Sequence, residues 1–452
     1  MLRRDQPPWR FLELARAYPR IAHLRLGKRH GYLVNDPDLV RQILVVSSKM
    51  VEKGPGLRAA GLVLGDGLLI LPNAEHRPRR RMVNPAFHHT KLAGYADVMR
   101  TEAMALDADW TARPGATVDM SQEMSRLTLG IVGRALFGAD LAKEASTVYR
   151  DLDQAMSGWE KLMLPGGAAL MRLPIPAIRR MHAANDSLDA LIRRMIDAVA
   201  DRRGATADVV GDLLDGAVDG EKLTRDAVRD EAMTLLLAGH ETTSNALAWA
   251  WHLLSEHPAA AARLRTEVAA LGTTPTASDL SRLPWVLAVV AETLRLYPPA
   301  WVLEREVVQE FELDGWTLPV GSIVLTSQFA LHRDERSWRQ ASQFLPERWL
   351  TEQGTFSEDA PGQPRGAWFP FGAGTRQCIG ESFAWTEVAL VLAVLAPRWA
   401  PRTETTWVHK VHAAVTLRPA GGLPMRLERA PQPPMAPRPV DAAVLLDSAG
   451  AS

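Results

Sequence analysis

Trp368-Phe369-Pro370-Phe371-Gly372-Ala373-Gly374-Thr375-Arg376-Gln377-Cys378-Ile379-Gly380 carries the only cysteine among 452 residues. Glycines at 372, 374 and 380 permit sharp turns and a close approach of the backbone to a flat ligand, and Phe369 and Phe371 offer an apolar wall. The following run, Glu381 to Leu390, has helical apolar spacing. Cys378 is therefore expected in a glycine-rich loop at a helix N-terminus, where unpaired amides and the helix dipole favour a thiolate over a thiol. A lone cysteine is ordinarily a small buried hydrophobe. At the mouth of such a loop it is instead a good axial ligand for iron in a macrocycle.

Working outward, 52 basic and 52 acidic side chains give a formal net charge of zero, without the basic excess of a nucleic-acid binder. One cysteine excludes an internal disulfide framework and any multi-cysteine zinc or iron–sulfur centre, and it fits a reducing compartment. No stretch approaches the roughly 20 apolar residues of a spanning helix, and Met1 to Trp9 shows no signal peptide. A cytoplasmic protein without an integral membrane anchor is expected. A single domain over residues 1–430 is expected, followed by a Pro/Ala-rich, disordered tail over 431–452.

Toward the N-terminus, Ile21 to Leu26 alternates with period two, Gly27 to Gly31 turns, and Tyr32 to Val34 continues as a strand. Asn35-Asp36-Pro37 caps a helix over 38–46. Residues 51–75 are rich in glycine and leucine, too apolar for a solvated loop, and are expected to fold over something greasy. The arginine run over 75–87 reads as a solvated face. Helices are expected over 90–220, with Leu127, Ile131, Leu136, Leu188, Leu191 and Ile192 inward. The apolar, helix-breaking stretch 162–176 suits a mobile lid and an ordinary connection equally.

Thr224 to His257 is the longest helical stretch, ended by Pro258 and spanning roughly 50 Å. It is apolar nearly all round, hence central and buried. Glu241, Thr242 and Thr243 are costly there unless hydrated or bonded, and a threonine hydroxyl can bond back to a helix carbonyl. A helix over 285–297 places Glu292 and Arg295 on one face, and Pro298-Pro299 stops it. A strand over 300–303, a hairpin around Asp314-Gly315, an irregular stretch over 330–365 and a closing hairpin over 415–422 complete the reading.

Phe371-x-x-Gly374-x-Arg376-x-Cys378-x-Gly380 resembles the haem-binding signature of the cytochrome P-450 family. Three further motifs follow that family's order: Ala238-Gly239-His240-Glu241-Thr242-Thr243, Glu292-x-x-Arg295, and Pro346-Glu347-Arg348-Trp349. The resemblance spans nearly the whole chain. It implies a mainly α, triangular fold with a small β region and a long central helix. It implies haem b (iron protoporphyrin IX) bound to Cys378 as metal ligand, with Arg376, Arg305, His76, Arg80, Phe371, Gly372, Ala238 and Gly380 around it. His76 stands where that family commonly has tryptophan. Glu241 and Thr242 take the positions of the oxygen-activating acid and alcohol, and Glu292, Arg295 and Arg348 those of a structural triad. The Gly65-Asp66-Gly67-Leu68-Leu69 segment matches the end of the loop that roofs the substrate pocket, so Leu69, Ala238, Val302 and Val415 would line that pocket.

The implied reaction inserts one oxygen atom from O2 into a hydrophobic small molecule, a terpenoid, fatty acid or polyketide-like compound. Electrons would come from NAD(P)H through a ferredoxin or flavodoxin with its reductase, because the chain has no flavin or iron–sulfur segment. The remaining arginines of the 77–81 run would face that acidic partner. A monomer is expected. Two alternatives use the same cysteine: a haem-thiolate peroxygenase or isomerase, and a non-catalytic haem carrier or gas sensor. The acid–threonine pair favours the oxygenase.

Overall fold

The computed structural model describes residues 7–139, 141, 147–148, 150–152, 154–155, 175–202, 208–218, 220–364 and 366–431. Its axis is the helix Arg225–Glu256, capped by Thr224, whose hydroxyl accepts from Ala227 N at 3.1 Å. Buried Leu236, Leu247, Trp249 and Trp251 on this helix confirm that it is apolar nearly all round. The helices Met120–Phe137, Pro176–Asp201, Pro284–Leu296 and Glu381–Leu395 all pack on it. His89–Ala112 crosses Met120–Phe137 and Glu381–Leu395 to close the bundle. Trp110 lies at that crossing, edge-on to Trp251 and Trp399, with its indole N–H on Glu123 at 2.9 Å.

A five-stranded sheet lies beside the bundle. Its order is Ile21–Leu26, Arg29–Val34, Ile323–Thr326, Leu303–Val307, Val51–Lys53. The third strand joins the second in parallel and the fourth antiparallel, so distant segments are brought edge to edge. Smaller β elements include the hairpin of Phe311–Leu313 with Trp316–Leu318, that of Val411–Ala413 with Leu417–Pro419, and a three-stranded sheet of Arg402–Thr403, Pro424–Arg426 and Thr117–Asp119.

The first strand, the Asp36 cap and the central helix lie within a residue or so of their expected bounds. Three readings need correction. The strand expected over 300–303 begins only at Leu303, because the Trp301 carbonyl instead takes the Phe329 amide and the Ser327 hydroxyl. The closing hairpin lies earlier than expected, with Val415 in its turn. The leucine-rich 51–75 stretch is not all loop: it holds a strand and the short helical turns Pro55–Arg58 and Gly61–Leu64. Most of the 162–176 interruption and the tail from 432 lie outside the described residues.

The Glu292–Arg295 pair is sealed from water, both side chains being 0% exposed. Arg295 donates all five of its N–H groups: two to Glu292 at 2.8 Å, two to the carbonyls of His332 and Ala341 at 2.6 Å, and one to Gln343 O at 2.8 Å. Glu292 also accepts from Leu345 N, Arg348 Nε and Trp349 Nε1 at 2.9, 3.1 and 2.9 Å. Burial alone would raise the Glu292 carboxyl; Arg295, with Arg348 and the Leu345 amide, more than reverses that and holds it below the ordinary 4.5. Replacing Glu292 by Ala strands the buried Arg295 and removes the carboxylate partner of half-buried Arg348, and we expect a loss of about 3–5 kcal/mol of stability by denaturant titration. The depressed pKa sets the sign with pH: the pair's contribution is complete above the unfolded carboxyl's 4.5 and is lost as pH falls through the lower folded value. The Glu292→Gln deficit should therefore be constant near neutrality and shrink below pH 4.5. A deficit that grows with acidity would contradict the assignment.

Candidate active site

The cysteine loop is built by glycine geometry. Gly372 and Gly374 have φ of 73° and 70°, and a Cβ on Gly374 would lie 2.2 Å from the Leu44 carbonyl oxygen. Cys378 N donates to Phe371 O at 2.9 Å, closing the loop, and Gly380 caps the helix Glu381–Leu395. Phe371 is half-buried against the main core, its ring 6.4 Å from Trp385. Phe369 is not part of a ligand wall. It is buried in the sheet-side core, edge-on to His332, and its amide donates to His332 Nε2 at 3.1 Å.

Cys378 keeps accessible surface, yet protein surrounds it on most sides, and this burial pushes the thiol above its usual range. The Gly380 amide, Arg80 and Lys53 pull the other way, while Glu381 adds to the burial effect. In the metal-free chain desolvation outweighs the helix terminus at this thiol; a cation bound to the sulfur would favour the anion.

Basic groups converge beside this loop from four segments. Arg376 donates to Leu71 O at 2.6 Å and to Asn73 Oδ1, but its Nη1 is buried without a partner among the described residues. Arg80, on the helix Asn73–Val83, donates to Gln377 O at 2.6 Å. Arg305 and Lys53 are paired directly across neighbouring strands and are only 6% and 8% exposed. Burial and then mutual repulsion lower Arg305 to about 10, Arg376 to about 10, and Lys53 well below its usual value. His76, buried among Arg376, Arg80 and Lys53, is pushed down to about 3 and stays a neutral imidazole. Glu52 beside Arg376 and Glu304 beside Arg305 offset this only in part, and their carboxylates also accept from Asn73 N and Gly56 N. Buried cations facing one another across a sheet are unfavourable unless an anion joins them. A ligand with two carboxylates fits this cluster, as the propionates of haem would.

Lys53 was missed from the sequence. Its signal was the alternation of Val51-Glu52-Lys53, which puts Lys53 on the same inward face as buried Val51. Arg79, expected on a docking face, is instead paired with buried Glu231 at 2.9 Å.

The central helix presents its polar residues in different directions. Ala238 is exposed and Thr242 half-exposed in mid-helix, one turn apart, and the Thr242 hydroxyl donates to Ala238 O at 2.6 Å. Glu241 turns instead to the hairpin tip, where Thr416 Oγ1 donates to its Oε1 at 2.7 Å and Asn245 Nδ2 donates to Thr416 at 3.1 Å. That contact fixes the tip carrying half-buried Val415. Glu241 also borders a cavity of about 390 Å³ with mixed walls, polar at His240, Ser244, Asn245, His412 and Arg418 and apolar at Leu152 and Leu237. His240 sits with Nε2 on Ser125 Oγ at 2.8 Å, and burial lowers it to about 4. Leu69 is half-buried between buried Leu68 and Ile70, and Val302 is half-buried after buried Trp301.

Thus the structure brings Arg376, Arg305, His76, Arg80 and Cys378 together, with Lys53 added. It leaves Glu241 and Thr242 on the same helix turn but bonded to different partners.

Known proteins carry the same pattern. The sequence model described as Cytochrome P450 matches residues 1–401. Cyclooctatin synthase of Streptomyces melanosporofaciens is 40% identical over 87% of this chain and 86% of its own length. Cyclooctat-9-en-7-ol 5-monooxygenase of the same organism is 36% identical over 87% and 84%. Pentalenene oxygenase of Streptomyces avermitilis is 31% identical over 88% and 87%. The crystal structure of the cytochrome P450DA heme domain superposes with a TM-score of 0.83 at 27% identity, covering 94% of each chain. Sequence, fold and the basic cluster around one cysteine agree that the chain belongs to the cytochrome P450 family of haem-dependent monooxygenases.

Proposed function

We propose that this monooxygenase oxidises a cyclic terpene or a partly oxidised terpenoid, with Cys378 as the iron ligand. Its electrons come from NAD(P)H through a separate ferredoxin or flavodoxin and reductase. The observation that carries the cofactor assignment is the basic cluster of buried Lys53 and Arg305 with half-buried Arg80 and Arg376 beside the only cysteine. The substrate class rests on the three relatives, whose names all refer to terpenoid compounds, and on the aliphatic character of Leu69, Val302, Ala238 and Val415.

When bound, haem supplies the oxygen-activating chemistry. The residues of this chain do the rest. Lys53, Arg305 and Arg376 bind carboxylates, and His76, held neutral, offers one N–H without adding charge. Thr242 holds a hydroxyl proton one turn from the exposed surface of Ala238. Glu241, bordered by a partly polar cavity large enough for several waters, can exchange protons with solvent and return them to the Thr242 turn. The apolar segments exclude water from the side where substrate binds.

No helix among the described residues is long and apolar enough to cross a membrane.

Replacing Cys378 by Ser should abolish the long-wavelength Soret band of the reduced CO complex, because a neutral hydroxyl replaces a soft anion. Survival of that band would remove Cys378 as the ligand. Thr242→Ala should retain that band but divert reducing equivalents into peroxide, so that product formed per NADPH consumed falls several-fold. Unchanged coupling would take Thr242 out of proton delivery.

A further inference from the structure

The glycine-rich turn Gly65-Asp66-Gly67-Leu68-Leu69 lies directly on one turn of the central helix. A Cβ on Gly65, whose φ is 69°, would come within 2.0 Å of Asp230 Oδ1. A Cβ on Gly67 would come within 2.0 Å of Thr234 Oγ1 and 2.8 Å of the Asp230 carbonyl oxygen. Only glycine permits that approach. Two alternate amides of the turn then reach two consecutive carboxylates. Asp66 N donates to Asp230 Oδ2 at 2.9 Å, and Leu68 N donates to Glu231 Oε2 at 3.1 Å.

Glu231 does more than hold the turn. It is 0% exposed, and its other oxygen, Oε1, accepts from Arg79 Nη1 at 2.9 Å. Arg79 belongs to the helix Asn73–Val83 that also carries His76 and Arg80. One buried carboxylate therefore bridges the segment ending in Leu69 and the helix that supplies part of the basic cluster. Asp230 extends the connection outward: Arg229 donates to it at 2.9 Å and to Asp189, on the helix Pro176–Asp201, at 2.5 Å.

We propose that Glu231 is a specificity-determining positioning residue, whose carboxylate fixes Leu69 relative to the cofactor-binding helix. The inference rests on the reading that Leu69 lines the substrate pocket. A carboxylate is an acceptor at both oxygens and can serve Leu68 N and Arg79 together. The amide of glutamine has one accepting oxygen, and its NH2 would face a donor. Glu231→Gln must release one of the two partners. Since a displacement of about 1 Å at a reacting atom changes rate on the order of a hundredfold, freeing Leu69 should redistribute which carbon is oxidised.

The test uses the haem-loaded full chain and two probes, pentalenene and cyclooctat-9-en-7-ol. Three quantities are measured in the parent and in Glu231→Gln: the reduced CO spectrum, hydrogen exchange at the Leu68 amide, and product ratios by mass spectrometry. The expected result is an unchanged CO band, Leu68 exchange faster by about tenfold, and a several-fold change in product ratio. Unchanged exchange at Leu68 would overturn the latch. Faster exchange with unchanged product ratios would overturn its role in specificity. Should Glu231→Gln not fold, Gly67→Ala attacks the same contact from the loop side, and it should shift exchange and products in the same way; unchanged values there would also overturn the proposal. A parent that oxidises neither probe counts against the terpene reading, and exchange at Leu68 then decides the latch by itself.

Discussion

A carboxylate and a guanidinium sealed from water can remain charged only when every donor and acceptor between them is matched. Glu292 and Arg295 meet that condition, and the irregular chain between residues 332 and 349 is folded largely to meet it. Four of the groups that satisfy the pair are backbone atoms, of His332, Ala341, Gln343 and Leu345. His332 carries the constraint further, because its ring accepts the Phe369 amide at the entry of the cysteine loop. The position of Cys378 is therefore tied, through His332, to an ion pair on a different helix. A stretch without regular hydrogen bonding gains in this way the rigidity that a helix or sheet would otherwise supply.

The central helix distributes three tasks along its length. Glu231 meets Leu68 and Arg79, Ala238 and Thr242 are presented further along the same face, and Glu241, on the adjoining face, reaches the 411–419 hairpin and the cavity. Helical spacing makes this possible. Residues 231, 234 and 238 or 238, 242 and 245 recur on common faces, so a single rigid rod indexes loops that are far apart in sequence. Burying polar groups in such a rod is tolerable where a hydroxyl finds a carbonyl one turn back, as those of Thr242 and Thr243 do.

Much of this was legible in one dimension. The cysteine loop, the Glu292-x-x-Arg295 spacing and the long apolar helix are local patterns, and local patterns survive without knowledge of the fold. What escaped was set by distant partners. Lys53 matters because Arg305, some 250 residues away, lies opposite it, and Glu231 matters because it touches Leu68 and Arg79. The upward push on the metal-free thiol was hidden for a different reason. The dipole argument is one of sequence position, whereas desolvation depends on how much protein surrounds the sulfur. The strand misplaced over 300–303 shows the same limit, since β-like composition could not reveal that Trp301 would be used by Ser327 and Phe329.

The Lys53–Arg305 pairing couples stability to supply. Two buried cations across a ladder weaken the very sheet that joins residues 21–34 to residues 303–326. Any dianionic ligand that bridges them binds the folded chain and not the unfolded one, and so shifts the folding equilibrium by mass action. The chain would then be least stable in the interval between synthesis and cofactor capture. In a cell short of haem, the penalty would appear first as turnover of the protein by proteases, before any loss of catalytic quality in the molecules that had matured.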